Sequence, residues 1–232
     1  MARDLAEAPV SQSQHWSDLP KRVVSAAVLA LIGLVCLWIG GWLWIALIAA
    51  ASIGLLAEWR HLCKPFSAVL ALAGLVYVLP AAVALVWMRL DAAAGAANTL
   101  FVLLIVWATD IGAYLVGRLI GGPRLAPSIS PGKTRSGALG GLACALLVGA
   151  GAAQLTASPS GRALILAGGL SLAAQAGDLL ESAIKRHMGV KDSGRVIPGH
   201  GGLFDRLDGL LAAAPLAALL ALAMGGGVEL WR

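Results

Sequence analysis

Charge is what this sequence has least of. Only 12% of its residues are charged, against about 25% in an ordinary soluble domain, and its mean hydropathy is +0.85. Residues 23–57 hold no charged side chain, and further uncharged runs cover 65–88, 92–109, 136–161, 163–177 and 209–228. A bilayer core about 30 Å thick takes roughly 20 apolar residues per helix, so the first run alone has the length for two. A soluble globular domain is excluded. Cysteine is the second scarcity. Cys36, Cys63 and Cys144 stand far apart with no CxxC spacing, which argues against a zinc site or a disulfide framework and for structural thiols. The first 22 residues also lack a short apolar core followed by small residues, so they read as a polar tail and not as a signal peptide.

The expected fold is therefore all-α, a polytopic membrane bundle of about seven helices. The spans fall near 23–40, 42–59, 66–89, 98–120, 137–157, 162–184 and 207–228. A polar tail (1–22) precedes N-terminal membrane helices (23–97), and a membrane region at 98–232 carries most of the polar residues. Gly40-Gly41 reads as a tight hairpin, and Pro80 as a possible kink that neighbouring helices tolerate. With the N-terminus inside, 14 of the 17 cations fall on the cytoplasmic side and only Arg89, Arg162 and Arg232 outside. That asymmetry satisfies the positive-inside rule. It also concentrates the +5 formal charge on one face, which favours anionic lipids and anionic soluble ligands.

Against this background a few acids stand out. Asp110 lies inside the fourth span, and Asp178 and Glu181 inside the sixth. An acid well within a membrane helix costs a few kcal/mol and usually faces a polar cavity or a partner. Each Asp precedes an Arg by eight residues, Arg118 and Arg186, which is about 12 Å of helix, so the two share a depth. Asp110, Tyr114 and Arg118 recur on one helical face, as do Asp178, Glu181, Ser182 and Lys185. Asp205 and Asp208 project from the start of the seventh span, where an N-cap role is the plain alternative. For Asp178, burial against Lys185 or Arg118 is the plain alternative. Carboxylates converging from two helices form the hard-oxygen set that Mg²⁺ takes, completed by water and substrate phosphates.

The polar loop between these acids, "KRHMGVKDSGRVIPGHGGLFDRLD" (185–208), crowds Lys185, Arg186, Lys191, Arg195 and Arg206 among glycines. Bare backbone N–H groups leading into a helix start form an anion site. His200 either touches a phosphate or base or is structural. A second stretch, "RLAPSISPGKTRSG" (124–137), offers Lys133 with Ser128, Ser130 and Thr134. Its "GKT" is not a P-loop: the glycine required five residues before Gly132 is Pro127, and no preceding strand is expected. Acids, cations and bare backbone together imply a metal-bound polyphosphate.

The run "SAIKRHMGVKDSGRVIPGHGGLFDRLD", Ser182 to Asp208, resembles the hallmark of the phosphatidate cytidylyltransferase (CDP-diacylglycerol synthase) family. The hallmark reads Ser, two residues, Lys-Arg, four residues, Lys-Asp, a short gap, Pro-Gly-His-Gly-Gly, two residues, Asp-Arg, one residue, Asp. The similarity continues upstream through "GDLLES", "SPGKTRSG" and "TDIGAYLVGRLIGG", about residues 98–228. Two positions depart from it: Arg135 stands where the family commonly has Trp, and Gly209 where it often has Ser.

The resemblance implies transfer of CMP from CTP to phosphatidate, giving CDP-diacylglycerol and pyrophosphate in phospholipid biosynthesis, at the cytoplasmic face of the inner membrane. It makes region 98–232 catalytic. It casts Asp178, Ser182, Lys185, Asp205 and Asp208 as catalytic, and Lys133, Arg186, Lys191, His200 and Arg206 as substrate-binding. Asp178, Asp205, Asp208 and Asp110 would hold Mg²⁺, with room for a second cation such as K⁺. CTP, phosphatidate and membrane lipids are the implied partners, a homodimer is a further expectation, and nucleic acid is not expected. Two readings stay open beside it: a cation- or proton-coupled secondary transporter, since intramembrane carboxylates carry ions, and a related nucleotidyltransferase using another lipid phosphate. Asp205→Asn is expected nearly to abolish pyrophosphate release while membrane insertion is kept. Arg135→Trp is expected to be tolerated in the same assay.

Overall fold

The computed structural model describes residues 19–63, 67–190, 193–194 and 202–232. Within these, the chain folds into seven helices and one β-hairpin: α1 (Leu19–Ile39), α2 (Gly41–Leu62), α3 (Ala68–Leu90), α4 (Gly95–Ile120), β1 (Arg124–Ala126), β2 (Ser130–Thr134), α5 (Arg135–Leu155), α6 (Ser160–His187) and α7 (Phe204–Ala223). Each helix matches one expected span. Six of them, α2 to α7, are long and apolar enough to cross a membrane; α1 contributes a shorter apolar stretch, Ala27–Ile39. The protein is a helical membrane protein. The expected tail, 1–22, lies almost wholly outside the described residues.

The outer faces are greasy. Trp38, Trp42, Leu119 and Leu155 are all more than 70% exposed, which a lipid-facing surface requires and an aqueous one would not keep. The inner faces are built from small side chains: Ala163, Ala167 and Ala174 of α6, Ala145 of α5, and Ala213, Ala214 and Ala217 of α7 are fully or almost fully buried. Without a hydrophobic driving force between helices in lipid, close backbone approach and dispersion hold the bundle, and small residues permit that approach. Gly137 and Gly141 of α5 show where. A Cβ added at Gly141 would sit 2.7 Å from the Thr109 carbonyl oxygen of α4, and one at Gly137 would sit 2.8 Å from the Ala113 oxygen. The small-residue spacing thus packs within this chain.

Helix ends differ from expectation in informative ways. Gly40 and Gly41 both adopt positive φ and make the α1–α2 hinge. Arg89 of α3 closes it by donating from Nε to the Leu37 carbonyl (2.6 Å) and from Nη2 to the Trp38 carbonyl (3.2 Å). α7 stops at Ala223 and not near 228, because Gly225, Gly226 and Gly227 take positive φ and turn the chain back across the bundle end. There Asn98 donates to the Val228 carbonyl (3.0 Å) and accepts from the Leu230 N–H (2.8 Å), while Trp231 packs at a tilt against Phe101 and donates to Thr156. Asp91 accepts from the Gly227 N–H at 2.6 Å, and from Ala93 and Ala94. These backbone donors hold its carboxyl below the usual carboxylate range.

The stretch 124–134, expected as a strandless loop, forms the antiparallel pair β1–β2, with Arg124 opposite Thr134 and Ala126 opposite Ser130. Its return strand runs straight into α5, whose first turn is capped by Thr134: the hydroxyl accepts from the Gly137 N–H at 3.0 Å. The three cysteines are free.

Gly141→Val is expected to destabilise the bundle by about 1–3 kcal/mol through overpacking against α4. Unfolding of the purified protein in mixed micelles measures it.

Candidate functional site

All the unusual acids collect at one end of the bundle, where α2, α4 and α6 finish and α7 starts. The approach of α6 to α7 there is set by Gly177, where an added Cβ would meet the Asp208 carbonyl oxygen at 2.6 Å and the Ala212 Cβ at 2.7 Å. The residue after it is Asp178. The missing side chain therefore lets the two aspartates converge. Oxygen atoms of Asp178, Glu181 and Asp208 all lie within 4.8 Å of one another.

Two lysines answer this crowding. Lys133, at the end of β2, places Nζ 2.5 Å from Asp178 Oδ1. Lys185, one turn after Glu181 on α6, bridges Glu181 Oε2 (2.9 Å) and Asp205 Oδ1 (2.6 Å). The other Asp205 oxygen accepts from the Gly202 N–H at 2.9 Å, so this acid also caps the loop before α7. Glu181 is 2% exposed, and its Oε1 is buried with no hydrogen-bond partner. An orphaned carboxylate oxygen in so dry a place is costly. The carboxylates of Asp178 and Asp208 stand beside that of Glu181, and such oxygens are the donor set a hard divalent cation takes.

A cavity of about 670 Å³ opens beside this group. α4 lines it with Thr109, Asp110, Tyr114 and Arg118, the hairpin with Arg124 and Lys133, α6 with Gln175 and Asp178, and α7 with Asp205, Arg206 and Asp208. The stripe read on α4, Asp110, Tyr114 and Arg118, faces the cavity, with Arg118 donating to the Tyr114 hydroxyl at 2.8 Å. Deeper in the bundle, buried Thr109 and Ser171 hydrogen-bond each other at 2.9 Å, and Gln175 donates to Ser171 at 3.3 Å. A cavity lined by acids from α4, α6 and α7 and by Arg118, Arg124, Lys133 and Arg206 is suited to holding a cation and a polyanion together.

The sequence-selected residues divide into three sets. Asp110, Lys133, Asp178, Asp205, Arg206 and Asp208 meet at the cavity, with Lys185 tied to them through Asp205. Ser182 and Arg186 do not line it. Ser182 is half-buried on α6, and Arg186 reaches sideways to the carbonyls of Ile129 (3.2 Å) and Val190 (3.4 Å). Lys191 and His200 lie outside the described residues. Asp178 pairs with Lys133 and not with Lys185 or Arg118 among the described contacts. Thr134, grouped with Lys133 in the sequence as a phosphate contact, spends its hydroxyl on the α5 cap.

Glu58 of α2, not among the residues singled out in the sequence, also reaches this end of the bundle. Its carboxylate is 2% exposed and accepts from the Leu203 N–H (2.7 Å), the Phe204 N–H (2.9 Å) and the Ser193 hydroxyl (3.2 Å).

Fold and site together define a polytopic membrane protein with an acid-and-cation cavity at one end of its helices. A sequence model of the cytidylyltransferase family matches residues 63–224, and the chain belongs to that family. Among curated proteins, it is 47% identical over 174 residues to a phosphatidate cytidylyltransferase of Brucella suis biovar 1 (strain 1330), covering 75% of this chain and 63% of that protein. It is 49% identical over 124 residues to the phosphatidate cytidylyltransferase of Staphylococcus aureus (strain COL), covering 52% of this chain and 47% of that one. The chain thus aligns with less than two thirds of the length of these relatives.

Lys185→Met leaves buried Glu181 and half-buried Asp205 without their shared cation, and is expected to cost about 3 kcal/mol, the low end for a buried pair. Adding Glu181→Gln and Asp205→Asn is expected to recover most of that loss in the same unfolding assay.

Proposed function

We propose that the protein transfers CMP from CTP to phosphatidate, releasing pyrophosphate and giving CDP-diacylglycerol. The observation that carries this reading is the coincidence of two things at one place. The family's polar motif supplies Lys185, Asp205, Arg206 and Asp208, and these meet Asp110, Lys133 and Asp178 from other elements around one cavity.

In the proposed reaction an oxygen of the lipid phosphate forms a bond to the α-phosphorus of CTP. The bond from that phosphorus to the bridging oxygen breaks, and pyrophosphate leaves with the electron pair. The attacking phosphate is already ionised near neutral pH, so no strong general base is needed. The obstacle is bringing two polyanions together, and catalysis rests on positioning and electrostatics. Lys133, Arg206, Arg118 and Arg124 surround the cavity and would hold phosphate oxygens. Asp178, Glu181 and Asp208 would hold Mg²⁺, and Asp110 and Asp205 also line the cavity. When bound, that ion supplies charge neutralisation at the transferring phosphate. Lys185 keeps Glu181 and Asp205 in place.

The depth of the acids within helices fits a substrate whose headgroup sits at the membrane surface while the nucleotide arrives from water. The excess of cations at this end supports placing it on the cytoplasmic face of the inner membrane. A homodimer and a second cation such as K⁺ rest on the family resemblance. Purified protein in detergent is expected to release pyrophosphate only when phosphatidate, CTP and Mg²⁺ are all present, and Asp178→Asn is expected to lose that release. Ion uptake by vesicles without nucleotide turnover would replace this reading with a transporter.

A further inference from the structure

Glu58 lies outside the matched family region, on a helix that contributes nothing to the cavity lining. Yet among the described residues it accepts from Ser193 and Leu203 of the loop before α7 and from Phe204, the first residue of that helix. α7 begins without a side-chain cap of its own: Leu203 occupies the N-cap position and has no capping hydrogen bond to give. The N–H groups of Leu203 and Phe204 would be orphaned in a buried place. Glu58 takes both, one on each carboxylate oxygen, and holds the Ser193 hydroxyl as well. The fit is close. A Cβ added at Gly202 would sit 2.6 Å from Glu58 Oε2, and one at Gly194 would sit 3.0 Å from Oε1. The next residue of α2 completes the grip: Trp59 packs against Phe204 at 5.9 Å between ring centroids, and Tyr77 of α3 stacks on the same ring at 5.7 Å.

We infer that Glu58 is a positioning residue for the acid site, supplying from α2 the cap that fixes the first turn of α7. Phe204 is followed by Asp205, and Asp208 comes one turn later, so the azimuth and depth of both acids follow from where Leu203 and Phe204 are held. Gly202, whose N–H Asp205 accepts, lies in the same clamp. A carboxylate is required for two reasons. It offers acceptors to three donors at once, and its negative charge complements a helix N-terminus. Glutamine keeps the shape but presents an NH₂ group to one backbone N–H. The inference rests on reading the cavity acids as a cation site.

The test compares purified full-length wild type with Glu58→Gln in detergent, reading Mn²⁺ affinity by electron paramagnetic resonance together with kcat, KM and Tm. Leu85→Ala, a buried truncation farther along α3, serves as the packing control. Glu58→Gln is expected to weaken Mn²⁺ binding and lower kcat by about tenfold or more, the usual effect of losing a group that orients ligands. The KM for phosphatidate should change little, and Leu85→Ala should lower Tm while leaving Mn²⁺ affinity intact. If Glu58→Gln does not fold, Gly202→Ala disturbs the same contact from the loop side and is expected to weaken Mn²⁺ in the same direction. Wild-type Mn²⁺ affinity in the folded variant would overturn the inference. So would an equal loss in Leu85→Ala, or a wild type that binds no Mn²⁺. A wild type that binds Mn²⁺ but releases no pyrophosphate from CTP and phosphatidate would overturn the substrate reading. Weakened Mn²⁺ binding in Glu58→Gln would then still support the positioning role.

Discussion

Carboxylates inside a membrane helix must be compensated where they stand, and this demand organises the functional end of the protein. Asp178, Glu181 and Asp208 crowd within 4.8 Å at positions where insertion of a bare charge costs a few kcal/mol. Lys133 and Lys185 answer part of the charge from two different elements. That ties the β-hairpin, α6 and α7 into one unit. The remaining demand, expressed in the unpartnered Glu181 Oε1, is what a divalent cation would meet. A site built this way is costly as structure and useful as chemistry, because its unmet acceptors are open to an arriving cation, which can in turn take phosphate oxygens.

Geometry at that end is set by helices approaching with little between them. Gly177 lets α7 close on α6 beside Asp178, and Gly137 and Gly141 let α5 close on α4 beside Asp110. The cavity is therefore framed by backbones with little freedom to drift, as a reaction that depends on positioning requires. The start of α7 is the exception, since it follows a glycine-rich loop and lacks a cap of its own. It is held from outside by Glu58, Trp59 and Tyr77. The N-terminal helices thus serve the acid site as well as anchoring the chain.

The fold was legible because uncharged runs of membrane length leave few other solutions, and each expected span has its helix. Its ends were less legible. Gly225 to Gly227 belong to an uncharged run, yet their positive φ ends α7 early. The β1–β2 hairpin escaped notice because Pro, Ser and Gly in "RLAPSISPGKT" read as a loop, and a two-stranded pair of this size has no apolar face to announce it. At the site, the acids of α6 and α7 were legible from their cost in lipid and from the motif. Pair identities were not: helical spacing places Lys185 near Asp178, but the hairpin delivers Lys133 to it. Glu58 could have been found by the argument that singles out Asp178, since it is an acid at the end of a long uncharged run. The expected span 42–59 contained it without its charge being weighed.

The central claim is that acids from α6 and α7 hold a cation in contact with the nucleotide's phosphates. Pulsed electron–nuclear resonance on the wild-type protein with Mn²⁺ and CTP tests it most directly, through the coupling between the metal and phosphorus. The account predicts a resolved phosphorus coupling that disappears when Asp178 and Asp208 are both changed to Asn. Bound Mn²⁺ with no phosphorus coupling, or a coupling untouched by those changes, would contradict it.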